Sequence, residues 1–123
     1  MTTLFLSRVP PSQHRLWKRN RATGRMFKAQ DYISWIRLSQ AEIMLQRPHK
    51  WREPVDILIR IPRGQVKKAS DASNRIKAPE DLLVTMGIVA DDSSTYVRRS
   101  GAEFADIEQT QIVITPVNTD EVA

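Results

Sequence analysis

The segment Pro-Val-Asp-Ile-Leu-Ile-Arg-Ile-Pro, residues 54–62, does most to limit what this chain can become. Val55, Ile57, Ile59 and Ile61 alternate with Asp56, Leu58 and Arg60. A period of two is that of a β-strand, whose successive side chains point to opposite faces. Pro54 and Pro62 bound the run, because proline cannot donate to a strand ladder. The fold must therefore contain a sheet with this strand in it.

The other elements follow from the same kind of reading. Residues 3–9 read as a first strand, stopped by Pro10-Pro11-Ser12. Residues 31–46 read as a helix: Tyr32, Ile36 and Ile43, with Ile33, Gln40 and Met44 beside them, recur at helical spacing. Asp31 suits the helix N-terminus, and Arg47-Pro48 ends the helix. A basic turn over 64–70 carries Lys67 and Lys68. Residues 71–86 read as a second helix, with Ile76, Leu83 and Met86 on one face and Gly87 just past its end. Pro79 inside that span would cost about 3 kcal/mol, so the helix either starts near Ala78 or kinks there. Residues 95–99 and 109–117 read as two last strands, joined by a hairpin loop over 100–108, and residues 118–123 as a frayed end. The order β-α-β-α-β-β predicts one small α+β domain over 1–123, with a mixed β-sheet and two main helices.

Charge is distributed unevenly along this order. Residues 1–68 hold fifteen Lys and Arg against four Asp and Glu, whereas residues 69–123 hold four against ten. The first acid is Asp31. Such a split points to a polyanion partner for the basic half, or else to a solvated basic surface. Residues 14–28 read as a basic loop, in which Arg15, Lys18, Arg19, Arg21 and Arg25 could neutralise phosphates, as could Lys67 and Lys68. Trp17 could stack on a base or pack under the loop, and Phe27 is expected to pack. The chain has no cysteine, which excludes disulfides and thiolate metal sites and suits a reducing, cytoplasmic setting. The apolar run Leu4–Leu6 is too short to cross or enter a membrane.

Downstream of the basic run, Ser-Asp-Ala-Ser-Asn-Arg-Ile-Lys leads to Asp81, Asp91 and Asp92. Carboxylate oxygens suit Mg²⁺ or Mn²⁺. Such ions polarise a phosphodiester and lower the pKa of an attacking water. A nuclease needs both a basic surface to attract DNA and an acidic centre to hold its metal. Asp71 and Ser73 could equally cap a helix, and Asp81, about three turns beyond Asp71, reads as a structural or surface acid. His14 and His49 have no ligand spacing.

Asp71, Asn74, Lys77, Asp81, Gly87, Asp91 and Asp92 resemble, in order and spacing, the motif of the RusA family of Holliday junction resolvases. That motif runs approximately D-x-D-N-x-x-K-x-x-x-D-x-L, followed by a glycine and a D-D pair. The segment from Val9 through the Pro-Pro-Ser turn and the basic loop resembles the family's opening, so the likeness covers most of the chain. It implies a homodimeric, Mg²⁺-dependent endodeoxyribonuclease that cuts four-way DNA junctions in recombination and repair and is often carried by prophages. Carried over by position, Asp71, Lys77 and Asp92 are the catalytic residues, Asp71, Asp92 and Asp91 the metal ligands, and Asn74 a supporting residue. Ser73 stands where the family has an aspartate, which leaves the site one carboxylate short. The alternative is therefore a branched-DNA-binding protein of the same fold that cleaves weakly or not at all. A third reading is a scaffold whose basic face meets an acidic protein.

Overall fold

The computed structural model describes residues 1–67 and 71–117. It is a small α+β domain: a mixed four-stranded sheet, a two-stranded ribbon and two helices. The expected turn residue Lys68 and the expected frayed end at 118–123 lie outside the described residues.

The alternating segment forms strand β4 (Val55–Pro62), in the interior of the sheet. The spatial order is β1 (Thr2–Leu6), β6 (Thr110–Pro116), β4, β5 (Val97–Ala105). β6 runs antiparallel to both β1 and β4, and β5 runs parallel to β4. Val55, Ile57, Ile59 and Ile61 turn one face of β4 into the core, where Leu4, Leu6, Ile112 and Ile114 of β1 and β6 join them. Asp56, Leu58 and Arg60 lie on the other, half-exposed face. There Arg60 ties three strands together, donating to Glu103 on β5 and to Gln111 on β6, each at 3.1 Å.

The expected hairpin between the last two strands is not formed. Residues 100–105, read from the sequence as loop, continue β5, and β5 and β6 flank β4 on opposite sides. Ser100, Gly101 and Ala102 look like turn residues, but an edge strand tolerates small residues that an interior strand does not. Parallel pairing of β4 with β5 follows from the chain between them, because a parallel partner requires a crossover, usually through a helix.

That crossover carries helix α2 (Lys77–Thr85). Pro79 falls in its first turn, where backbone N–H groups have no intrahelical acceptor, so the ring removes no helical bond. The first helical bond runs from Glu80 N–H to the Ile76 carbonyl at 3.1 Å. Residues 72–75 form a separate 3₁₀ turn, so the expected helix over 71–86 is divided. Gly87, with φ +73°, ends α2. Its N–H donates to Val84 O and that of Ile88 to Leu83 O, the paired bonds of a Schellman motif.

Helix α1 (Gln30–Gln46) ends at Arg47, which takes the left-handed conformation at φ 48° before Pro48. Its buried stripe is Tyr32, Trp35, Ser39 and Ile43. Its last turns also seal the free edge of β1. Gln46 Oε1 accepts from the Phe5 N–H at 2.8 Å and its Nε2 donates to the Phe5 carbonyl at 2.7 Å, while Glu42 accepts from Ser7 N–H at 3.1 Å. Gln46→Ala is expected to cost about 1–2 kcal/mol, as the two hydrogen bonds to Phe5 and the one to the Glu42 carbonyl are lost, and to increase concentration-dependent association through the opened edge. Urea unfolding and light scattering read the two effects.

Candidate nuclease site and nucleic-acid interface

The basic stretch is a β-ribbon rather than a loop. β2 (Trp17–Arg19) and β3 (Met26–Lys28) pair antiparallel, with Lys18 opposite Phe27. Asn20 closes the tip by accepting from Ala22 and Thr23 N–H groups at 2.9 and 3.3 Å, and Gly24 supplies a φ of +73°. At the base, Leu16 and Ala29 are buried and joined by a 2.9 Å backbone bond. The ribbon is thus anchored at its root and solvated along its length. Lys18, Arg19, Arg21 and Arg25 are all exposed on it. Phe27, expected to pack, is 46% exposed, and Trp17 is 49% exposed. A two-stranded ribbon has no second layer to bury these rings.

Trp17 and Lys28 line one wall of a depression of about 540 Å³. Tyr32 and Ile36 of α1 continue the wall, and Asp81, Asp91 and Asp92 stand in the same depression. The Lys28 ammonium lies 6.0 Å from the Trp17 ring centre and 5.9 Å from that of Tyr32. Asp91 and Asp92 are held there by their neighbours: Ile88 and Val89 are buried, and Ile88 O accepts from Trp51 N–H at 2.7 Å. Asp91 in turn accepts from the Asp92 N–H at 2.8 Å.

Lys77, at the start of α2, reaches into this acidic group. Its ammonium is 3.1 Å from Asp81 Oδ1 and 4.0 Å from Asp92 Oδ2. The bond to Asp81, with lesser help from Asp92 and Glu80, holds the Lys77 pKa above its ordinary value. Lys77 is therefore a cation at any physiological pH. Burial pushes the Tyr32 phenol up, and Asp81 adds to that shift. Asp81, expected as a structural or surface acid, is the i,i+4 partner of Lys77 and is 39% exposed. The signal was present in the Lys77–Asp81 spacing of four, which puts the two on one helical face.

Asp71 stands elsewhere. It caps the 3₁₀ turn Ala72–Arg75, with its Oδ1 accepting from Ser73 N–H at 3.0 Å and Ser73 Oγ at 2.8 Å. The Ser73 hydroxyl first, and its backbone N–H second, hold the Asp71 carboxyl below its usual range. Asp71 lines a second depression of about 530 Å³, shared with Arg15, Lys67, Asn74 and Arg75. Asn74 accepts from Gln13 at 3.2 Å. Arg75, unmarked in the sequence reading, donates to the Pro10 carbonyl at 2.7 Å and fastens this turn to the Pro10-Pro11-Ser12 segment.

The expected ligands thus fall into two places. Asp91 and Asp92 share a depression, and Asp71 lines a separate one. Among the described residues, no three Asp, Glu or His side chains are arranged to hold a metal ion. A closed three-carboxylate cage is absent from them. Mg²⁺ also takes open sites, with one or two carboxylates and the remaining positions left to water and substrate phosphate. The Lys77 ammonium already stands against two of the acids, Asp81 and Asp92.

No protein-family model matches the chain, and no curated protein matches it. No helix among the described residues is long and apolar enough to cross a membrane.

Asp81→Asn removes the first cause of the Lys77 shift, so the Lys77 pKa should fall toward 10.5. The pairing favours folding fully below the unfolded-state pKa and is lost as pH rises through the raised folded value. NMR titration of the Lys77 side chain in both proteins measures the change. An unmoved Lys77 pKa would mean that the ion pair does not persist in solution.

Proposed function

We propose that the protein is a homodimeric, Mg²⁺-dependent endonuclease acting on branched DNA, with four-way junctions as its substrate class. The observation that carries this reading is the depression in which the base of the basic ribbon faces the carboxylates of α2 and the following turn. Trp17 and Lys28 stand on one side, and Asp81, Asp91 and Asp92 on the other. Each component has a distinct task. Lys18, Arg19, Arg21 and Arg25 neutralise backbone phosphates. The exposed Trp17 ring offers a stacking surface to an unpaired base at a branch point. Lys77, kept protonated by its carboxylates, stabilises negative charge that develops on the phosphate. Asp91 and Asp92 are the residues that would hold the metal, with Asp71, which lines a separate depression, as the third candidate ligand. When bound, the ion supplies a lowered pKa to a water and polarises the phosphodiester. A two-carboxylate site binds Mg²⁺ weakly by itself, so DNA phosphates complete it, and metal and DNA strengthen each other's binding.

A second reading has a specific observation in its favour. Ser73 stands in place of an acid, and the described residues contain no three-acid metal group. A protein that grips branched DNA without cutting it would have this site. Mg²⁺-dependent nicking of a synthetic four-way junction separates the two: cleavage supports the enzyme, and tight binding without cleavage supports the binding protein. In either case, replacing Arg19 and Arg21 by Ala should flatten the salt dependence of junction affinity by about two units if each arginine meets one phosphate. An unchanged slope removes the ribbon from the interface.

Position 73 offers a finer test. The Ser73 hydroxyl lies 2.8 Å from Asp71 Oδ1, so an acid placed there stands against that carboxylate. Without a cation, the two negative charges raise each other's pKa. With one, they share it. Ser73→Asp should therefore lower the Mg²⁺ concentration for half-maximal cleavage severalfold. A variant that needs as much Mg²⁺ as the parent, or more, would show that position 73 does not face the metal.

A further inference from the structure

The two edges of the main sheet are finished differently. On β1 the side chains of Gln46 and Glu42 occupy the backbone groups that another strand would use. On β5 no strand among the described residues pairs with the outer side, and no described loop or side chain bonds to the backbone of residues 99–105 there. β5 spans nine residues, long for an edge strand with no described partner on its outer side. It has one irregularity, at its start, where Val55 pairs with Val97 but Asp56 with Arg99, so that Arg98 is the extra residue of a bulge. From Arg99 to Ala105 the register is regular.

That regular stretch reads Arg-Ser-Gly-Ala-Glu-Phe-Ala. Its charges are placed symmetrically about Gly101, with Arg99 two residues before and Glu103 two residues after. Small residues, Ser100 and Ala102, lie between. Arg99, Gly101 and Glu103 oppose Asp56, Leu58 and Arg60 of β4, so all three share the open face of the sheet. Glu103 is half-exposed and steadied by Arg60. At Gly101 nothing lies within 4 Å of where a Cβ would stand.

We infer that β5 is the dimer edge, pairing antiparallel with β5 of a second copy about a two-fold axis at Gly101. The pairing sets Arg99 opposite Glu103 of the partner subunit, and Glu103 opposite Arg99 of the partner subunit. A single strand sequence thus supplies both halves of two cross-strand ion pairs. The result is a continuous eight-stranded sheet. A two-fold axis through an antiparallel edge is perpendicular to the sheet, so both helical layers lie on the same side. The 3₁₀ turn that carries Asp71 packs against β5, which brings the two candidate sites toward the axis on that shared face. This inference deepens the proposed homodimer and rests on that reading only for its purpose; the edge itself is argued from the strand.

The absence of cysteine makes the test direct. Gly101→Cys introduces one thiol at the axis. Under mild oxidation it should give a disulfide-linked dimer in high yield, whereas Thr115→Cys, on the open face of β6, should not. Arg99→Cys and Glu103→Cys should each link poorly alone and readily when mixed. Arg99→Glu should weaken the dimer roughly tenfold by sedimentation, because it sets like charges opposite each other. A parent protein that sediments as a monomer through the micromolar range overturns the inference. So does a dimer in which Gly101→Cys links no faster than the control. Junction cleavage by the same samples reads the function separately. Monomers that cut keep the nuclease and remove the interface, while linked dimers that ignore DNA keep the interface and remove the nuclease.

Discussion

Burial of one face of β4 is the constraint on which the rest of the molecule depends. Val55, Ile57, Ile59 and Ile61 are each no more than 3% exposed. Full burial of a branched aliphatic side chain is worth roughly 1.5–3 kcal/mol. The exposed ion pairs of this protein belong to a class worth about 0–1 kcal/mol each. The ion pair Arg60–Glu103 and the bonds of Arg98 to Asp56 therefore trim the sheet rather than hold it. Because β4 pairs with β5 on one side and β6 on the other, its position fixes theirs. The crossover from β4 to β5 then fixes where α2 lies, and with it Lys77 and Asp81.

The candidate site residues, in both depressions, are built on the points where this framework turns. Asp71 heads a 3₁₀ turn, Lys77 opens a helix, and Asp91 and Asp92 follow a Schellman end whose next residues, Ile88 and Val89, are buried. Apolar side chains do the anchoring, so the polar ones remain exposed and available. The same division holds in the ribbon, where Leu16 and Ala29 are buried at the root and the arginines stand in water. A basic protein can carry a cluster of carboxylates in this way. Lys77 offsets part of their mutual repulsion.

The local pattern of the sequence determined a good deal. The alternation around Ile59 specified a strand with one buried face. Arg47-Pro48 and Gly87 marked the two helix ends, through a left-handed residue in each case. Pro79 showed that the helix over 71–86 could not be uniform. These features depend on dihedral preferences and side-chain periods, which operate over a few residues. Tertiary structure alone decided the rest. Residues 100–105 became strand because β4 offered them an edge, although Ser100 and Gly101 have little strand preference of their own. Residues 17–28 became a ribbon, leaving Phe27 exposed, because no second layer covers it. Asp81 joined Lys77 while Asp71 turned to Ser73, a division that depends on where a 3₁₀ turn gives way to a helix. Pairing of strands and gathering of side chains join residues far apart in the chain, and their free energy comes from surfaces that exist only once the whole core has closed.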